Sequence, residues 1–405
     1  MTIFDGVIIL IAVSLAGSSL APKARNNAWW QATVTPLASI IGSGFLVVAP
    51  LLAAVAGSLA VVAMLIIVLL AFAIGHVIRF NIRNSEKLEV TPNGSRKLLF
   101  AVRISNVSLS VAYVISVAFY IRLLASFALS MTPFANDMAE GLLATLILVL
   151  IGLVGWAKGL KGLELVETVS VSIKLSIIVA LLFALFAYNL GSGVWSADLP
   201  VSDTDLITRL RMLGGLLLVV QGFETSRYLG GSYPADMRAR TMLWAQVSSA
   251  AIYLLFVALI VPVLIFLPTG AADDTAIIAV SGHVAWILPF LLILAALMSQ
   301  LSAGIADTVG AGGLVVEETG NRVPERLAYP VLIAFSIALI WLFDIFEVIA
   351  IASRTFAFYY MMQAIIAIIV TRKLLTGRKR MQQVIWFSLL AGILALIVVF
   401  AIPAE

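Results

Sequence analysis

Twelve long apolar runs separated by short polar loops dominate this 405-residue chain. Each run approaches or exceeds the roughly 20 residues that a helix needs to cross about 30 Å of hydrocarbon. Because backbone polar groups in lipid must be satisfied within the chain, such runs predict helices. The sequence therefore predicts an all-α integral membrane protein of about 12 transmembrane helices. The runs are approximately 3–20, 33–55, 57–82, 98–129, 140–157, 162–189, 207–230, 239–267, 284–316, 327–343, 345–371 and 383–402.

The composition argues against several other classes of protein. Hydrophobic residues make up 62% of the chain and charged residues 11%, which leaves no room for a soluble domain. The chain has no cysteine and two histidines, so neither a disulfide framework nor a metal site is expected. Its basic residues fall in separate loops, which argues against nucleic acid as a partner. We expect no enzyme and no cofactor. The expected partners are the lipid bilayer and a small solute, and the oligomeric state stays open.

Charges in the loops predict how the chain is oriented. Lysine and arginine concentrate in alternate loops, and the positive-inside rule places those loops in the cytoplasm. The opposite loops carry aspartate and glutamate, with Arg209 and Arg211 as exceptions. This alternation predicts a multi-pass protein of the cell (inner) membrane whose two termini are extracytoplasmic. The basic loops include Lys23, Arg83, Lys158, Arg238, Arg322 and Arg372.

Two of the apolar runs are interrupted by glycine and polar residues. Run 33–55 contains Ile41-Gly42-Ser43-Gly44, and run 207–230 contains Gln221-Gly222-Phe223-Glu224. Backbone groups freed by such a break are tolerated in a bilayer only where protein or a water-filled cavity satisfies them. Paired breaks in the two halves of a chain indicate the substrate site of a secondary transporter. We therefore expect the two segments to face one another around a solute.

The two breaks lie five helices apart, so the helices that contain them run in opposite directions. This spacing predicts an inverted repeat of five plus five helices. We expect an extra N-terminal helix in residues 1–27, a first repeat in 28–190, a second repeat in 191–375 and a C-terminal helix in 376–405.

An acid and a base recur at equivalent places in the two predicted repeats. Gly222 lies 180 residues after Gly42, and the same offset carries a Glu/Lys pair onto a Glu/Arg pair. Either pair could form a gate or a fixed ion pair, and their equivalence stays open. Arg354 would also suit an anion or an internal partner such as Asp307. The two pairs are Glu167 with Lys174 and Glu347 with Arg354.

Charged side chains inside the apolar runs need an explanation, because each costs at least about 2.5 kcal/mol near the bilayer centre. Glu224 could bind an amine or carry a proton, or it could accept N–H bonds from the unwound backbone. Lys174 could replace a sodium ion or exchange a proton, or it could form an ion pair or reach the interface. Asp307 and Ser299 share a helix face, which suits a cation site or close helix packing. Tyr113 could line a wet cavity or pack in the core.

These segments resemble the amino acid–polyamine–organocation (APC) superfamily and its leucine-transporter-type (LeuT) fold. The segment Ile41-Gly42-Ser43-Gly44 is similar to a family signature whose backbone N–H groups bind the substrate carboxylate. Gln221-Gly222-Phe223-Glu224 is similar to the segment that faces the substrate amine. The helix that carries Lys174 is similar to the fifth helix of members in which a lysine stands in for sodium.

The extra N-terminal helix and run 284–316 are more similar to the sodium/solute symporters of the same fold. In those members a carbonyl and two adjacent hydroxyl residues hold sodium. Ala296 and Ser299 match this pattern, but Gln300 replaces the second hydroxyl. Together with Lys174, this replacement favours H⁺ over Na⁺ as the coupling ion.

We therefore predict a secondary active transporter of a small polar solute, an amino acid or related amine, that works by alternating access and is coupled to protons. A sodium-coupled symporter and a non-transporting membrane sensor with the same cavity are the alternatives. The sensor would bind its ligand without flux across a liposome membrane.

Overall fold

The computed structural model describes residues 2–21, 27–42, 44–89, 96–159, 164–199, 204–266 and 275–404. Nearly all of these residues are helical, and none of them forms a strand. Within these ranges, eight helices are long and apolar enough to cross a membrane. The prediction of an all-α integral membrane protein is confirmed.

Each predicted apolar run corresponds to one helix or to a broken series of helices. The short helix Ala276–Val284 was not predicted, because it lies between runs 239–267 and 284–316. The α-helices are α1 Ile3–Ser19, α2 Ala28–Gly42, α3 Phe45–Ala56, α4 Ala60–Glu89, α5 Arg96–Leu129, α6 Asp137–Lys158, α7 Glu164–Ser192, α8 Leu206–Gly215, α9 Ala235–Ile260, α10 Ala276–Val284, α11 Leu288–Glu318, α12 Glu325–Leu342, α13 Ile345–Leu374 and α14 Gly377–Phe400. Short 3₁₀ segments lie at Gly57–Leu59, Leu217–Val220, Phe223–Leu229 and Val261–Phe266.

Both predicted helix breaks are present. The first separates α2, which ends at Gly42, from α3. The second follows α8, where the chain continues as two 3₁₀ segments, Leu217–Val220 and Phe223–Leu229. Between these segments Gln221 is extended, with ψ of 173°, and Gly222 has φ of 115°. Glycine adopts such a positive φ readily because it has no Cβ atom.

The helices pack around α5 and around the two breaks. α11 and α13 both lie along α5, while α9 packs against α4 and α2. α12 packs on α6, and α1 packs on α7. The main apolar core contains Ile40, Phe45, Val219 and Phe223, which belong to or flank the breaks. The interrupted backbone therefore lies inside the protein, where other protein groups can satisfy it.

Candidate solute and ion site

The two breaks lie directly against each other. A Cβ atom added to Gly222 would lie 2.5 Å from the hydroxyl oxygen of Ser39 and 2.6 Å from its carbonyl carbon. A Cβ atom on Gly44 would lie 3.1 Å from Cγ1 of Val219. The second unwound segment thus runs beside the end of α2 and the start of α3. The expectation that the two segments meet agrees with this geometry.

The hydroxyl of Tyr253, on α9, connects the two breaks. Its oxygen is 3.0 Å from the carbonyl oxygen of Ile40 and 2.7 Å from that of Val219. A hydroxyl carries one hydrogen, so it donates to one of these carbonyls at a time. The Tyr253 ring meets the ring of Phe45 edge-on, with centroids 5.5 Å apart. Helix α9 therefore holds both unwound segments from one side.

Ser353, on α13, satisfies backbone groups at the start of the second break. Its hydroxyl donates to the carbonyl of Gly215 at 2.6 Å and accepts the N–H of Leu218 at 2.8 Å. An unsatisfied backbone group in a bilayer costs several kcal/mol. One buried serine thus allows the helix to end in the middle of an apolar run.

Glu224 is completely buried at the start of the second 3₁₀ segment. Its Oε2 atom accepts the N–H of Gly222 at 2.9 Å and the hydroxyl of Tyr360 at 2.8 Å. Its Oε1 atom has no hydrogen-bond partner among the described residues. One carboxylate oxygen therefore secures the break, while the other accepts no hydrogen bond from the described residues.

Gln221 and Phe223 connect the second break to α5 and α13. The Gln221 side chain donates from Nε2 to the hydroxyl of Tyr120 at 2.7 Å. The Phe223 ring stacks on the ring of Tyr360, with centroids 5.4 Å apart and planes 15° apart. Both side chains are buried. The break is thus positioned by side chains from two helices that pack on each other.

Lys174 is buried beside the end of α2. Its Nζ donates to the carbonyl oxygen of Ala38 at 2.6 Å and to the hydroxyl of Ser299 at 3.3 Å. A Cβ atom on Gly42 would lie 3.2 Å from the same Nζ. One ammonium group therefore links α7 to α11 and to the first break.

A cavity of about 20 Å³ lies next to this ammonium group. Such a volume holds about one water molecule. The Oε1 atom of Gln300 accepts no hydrogen bond from any residue that the structure describes. The side of the cavity formed by α11 is therefore polar. Its lining includes Ile41, Phe45, Lys174, Ala296, Ser299 and Gln300.

Asp307 is buried two helical turns beyond Ser299 on α11. The glycines on either side of it bring α11 close to two tyrosines of α5. A Cβ atom on Gly304 would lie 4.0 Å from Cβ of Tyr120, and one on Gly310 would lie 2.9 Å from Cε2 of Tyr113. Within the described part of the chain, the Oδ2 atom of Asp307 has no hydrogen-bond partner.

Arg238, on α9, anchors the end of the second break. Its two terminal nitrogens donate to the carboxylate of Glu86 at 2.9 and 2.6 Å, and Nη1 also donates to the carbonyl of Arg227 at 2.8 Å. The Arg238 side chain is 3% exposed. The neighbouring pair of Arg83 and Asp236 is 43% and 80% exposed and therefore much weaker.

Arg354 and Glu347 lie away from this site. Arg354 is exposed, and its Nε donates at 2.7 Å to the carbonyl of Val398 in the last turn of α14. Free carbonyls at a helix end attract a cation, so this contact explains the position of the arginine. Glu347 completes a capping box, in which it accepts the N–H of Asp344 at 3.1 Å. Arg354 thus binds a helix end rather than the expected partner Asp307 or Glu347.

Two predicted positions cannot be placed in this site. Ser43 lies outside the described residues, as does the side chain of Glu167. The described neighbours Gly42 and Gly44 fix the position of the first break.

Several residues that hold the site were not predicted from the sequence. Ser353 and Tyr360 lie seven residues apart on one face of α13, and Gln363 follows one turn later. Gln363 accepts hydrogen bonds from Arg227 and from Asn81. The polar residues along one face of α13 could have indicated that this helix contacts the site. The sequence offers no such indication for Tyr253, because it is a single tyrosine in an apolar run.

A helical membrane protein in which two broken helices meet beside buried charged groups has the architecture of a membrane transporter. Residues 22–401 match a protein family described as an APC superfamily transporter. Because this match covers nearly the whole chain, the protein belongs to the APC superfamily of transporters. The chain is also 42% identical, over 408 residues, to an uncharacterized protein of Aquifex aeolicus (strain VF5). That comparison covers 100% of this chain and 98% of the relative.

Proposed function

We propose that the protein is a secondary active transporter that moves a small polar solute, an amino acid or a related amine, by alternating access and with protons as the coupling ion. The observation that carries this proposal is the contact of Lys174 with the carbonyl of Ala38, 2.6 Å away at the end of α2. Loss of the proton would remove the charge from this contact and weaken it. The protonation of Lys174 would then change the balance between two conformations of the first break.

The solute would bind where the two breaks meet. The N–H groups and the dipole at the start of α3 suit a carboxylate. The unpartnered Oε1 of Glu224 suits an ammonium group. The cavity beside Lys174 holds about one water molecule, so a solute can enter only after the helices move.

Helix packing supports an inverted repeat and, with it, a LeuT-type fold. With run 33–55 counted as helix one, helices two and seven are α4 and α9, which pack together. Helices three and eight (α5 and α11) also pack together, as do helices four and nine (α6 and α12). The contact of helix three with helix ten (α5 with α13) has its counterpart in that of helix eight with helix five (α11 with α7). An inverted duplication of residues 28–190 and 191–375 would produce these pairings.

Proton coupling is favoured over sodium coupling by the position of the ammonium group. The Nζ atom of Lys174 donates to the carbonyl of Ala38 and to the hydroxyl of Ser299, and that hydroxyl is one of the groups expected to hold a sodium ion. A lysine can release its proton when its surroundings change, which gives an exchangeable ion at this position.

Transport by purified protein in liposomes tests the proposal. A thermal-shift screen of amino acids, amines, organic acids and sodium first identifies a ligand, because a ligand that binds the folded state stabilises it. Uptake of that ligand is then measured with an imposed pH gradient and, separately, with a sodium gradient. We expect saturable uptake that the pH gradient accelerates. Saturable binding without flux would overturn the transporter, and acceleration by sodium alone would overturn proton coupling.

A further inference from the structure

A second buried carboxyl group lies close to Glu224. Asp307 is 4% exposed and Glu224 is 0% exposed, and each has one oxygen without a hydrogen-bond partner. The roles proposed above for Lys174 and Glu224 leave Asp307 unexplained. A buried ionised carboxylate is costly unless it is paired or fully hydrogen-bonded. Both orphan oxygens therefore need a proton or a donor.

Contacts through α5 and α13 place the two carboxyl groups around one cluster of tyrosines. Asp307 lies between the glycines that pack on Tyr113 and Tyr120. Glu224 accepts the hydroxyl of Tyr360, whose ring neighbours that of Phe356 with centroids 6.0 Å apart. The Phe356 ring in turn lies 6.2 Å from that of Tyr113.

Glu224 and Asp307 thus lie at the same buried cluster of aromatic rings, where little water screens one charge from another. Two carboxylates in one buried site cannot both be ionised without strong repulsion, so such a pair titrates as a unit. A proton on either group relieves this repulsion.

We propose that Glu224 and Asp307 form a coupled pair that carries one exchangeable proton, as a second protonation site separate from Lys174. The pair keeps a single negative charge while the proton resides on one carboxyl or the other. Asp307 and Ser299, to which Lys174 donates, are eight residues apart, about 12 Å along α11. The two protonation sites are thus distinct.

Other titratable groups lie on the elements around the pair. Two of them are buried cations with hydrogen-bond partners in the chain, since Lys174 binds Ala38 and Arg227 binds Gln363. The tyrosines are neutral in the physiological range. These groups include Tyr113 and Tyr120 of α5, Lys174 of α7, Arg227 and Tyr228 of the 3₁₀ segment, Tyr253 of α9, Tyr329 of α12, and Tyr359 and Tyr360 of α13.

The consequence for transport rests on the proposed function. Glu224 belongs to a broken helix and Asp307 to the continuous helix α11. If the broken helix moves during alternating access, the two carboxyl groups separate. Both can then be ionised, because their charges no longer repel each other strongly. The pair would then release its proton in one conformation and take it up in the other.

Infrared spectroscopy of the reconstituted protein tests the pair without any solute. The carboxylic-acid C=O band is followed as pH is raised, in wild type, Asp307→Asn and Glu224→Gln. We expect a band from a buried acid in wild type. In either variant the remaining acid should lose its proton at a pH lower by about one unit or more, because its charged neighbour is gone. Asp236→Asn, at an exposed position, is the control and should leave the band unchanged.

Three results would overturn the inference. The first is no band from a buried acid in wild type. The second is an unchanged titration in both variants, which would show two independent groups. The third is loss of the band on adding sodium chloride but not choline chloride at constant pH, which would show a metal-cation site. If Asp307→Asn does not fold, Glu224→Gln gives the same information. Because the band is measured without transport, failure of the transporter proposal would leave this result readable.

Discussion

The second helix break depends on a single glycine, and replacing Gly222 by alanine should disrupt it. Gly222 has φ of 115°, which costs a residue with a Cβ atom about 1–2 kcal/mol. The added Cβ would also lie 2.6 Å from the carbonyl carbon of Ser39 and 2.7 Å from the nitrogen of Ile40. Both are backbone atoms, so the two breaks would have to move apart, and overpacking of this kind typically costs about 1–3 kcal/mol. We expect a total destabilisation of about 2–5 kcal/mol.

Thermal unfolding of the purified protein measures this effect, with Gly231→Ala as a matched control. Gly231 follows the same broken helix, is exposed, and has no atom within 4 Å of an added Cβ. We expect Gly222→Ala to unfold at a clearly lower temperature and Gly231→Ala to behave as wild type. If Gly222→Ala were as stable as wild type and retained ligand binding, the breaks could not lie against each other as described.

Three further substitutions test the contacts around the breaks. Tyr253→Phe keeps the ring but removes the hydroxyl that contacts both breaks, so unfolding should become easier by about 1 kcal/mol, measured by thermal denaturation. Arg238→Met breaks a partly buried ion pair and removes the donor to the carbonyl of Arg227, so it should cost about 1–3 kcal/mol, whereas Arg83→Met, at the exposed pair, should cost at most about 1 kcal/mol. Equal losses would contradict this assignment. Lys174→Ala should remove the response of uptake to a pH gradient, and Lys158→Ala, at an exposed position, should retain it. An unchanged response in Lys174→Ala would refute its role.

The helices and the breaks could be predicted because both follow from local chemistry. Apolar length predicts a membrane helix, and glycines beside polar residues predict an interruption such as those at Gly42 and Gly222. The contact of Lys174 with the first break was harder to predict, since helix spacing says which face a residue occupies but not which helix it meets. The sequence indicated a buried charge, and the fold supplied its partners, Ala38 and Ser299.

The residues that the sequence misplaced or missed depend on long-range contacts. The spacing of Glu347 and Arg354 repeats that of the earlier pair, yet Arg354 binds a carbonyl of α14, a helix that no spacing argument includes. Ser353, its neighbour in sequence, points the other way and satisfies the second break. Side chains of successive helix residues point about 100° apart. An assignment that is wrong by one residue therefore places a surface side chain in the core, or a core side chain at the surface.

Alternating access itself can be measured directly, because the chain contains no cysteine and a single one can be introduced. Ala303 faces the first break, with its Cβ 3.6 Å from the position of a Cβ on Gly42. A membrane-impermeant maleimide is applied to Ala303→Cys from either side of oriented vesicles, with Leu150→Cys, on an exposed apolar face of α6, as the control. We predict that position 303 is labelled from both sides and that a bound ligand changes the ratio of the two rates, while position 150 is labelled from neither. Labelling of position 303 from one side alone, whatever the pH or ligand, would contradict alternating access at the two breaks.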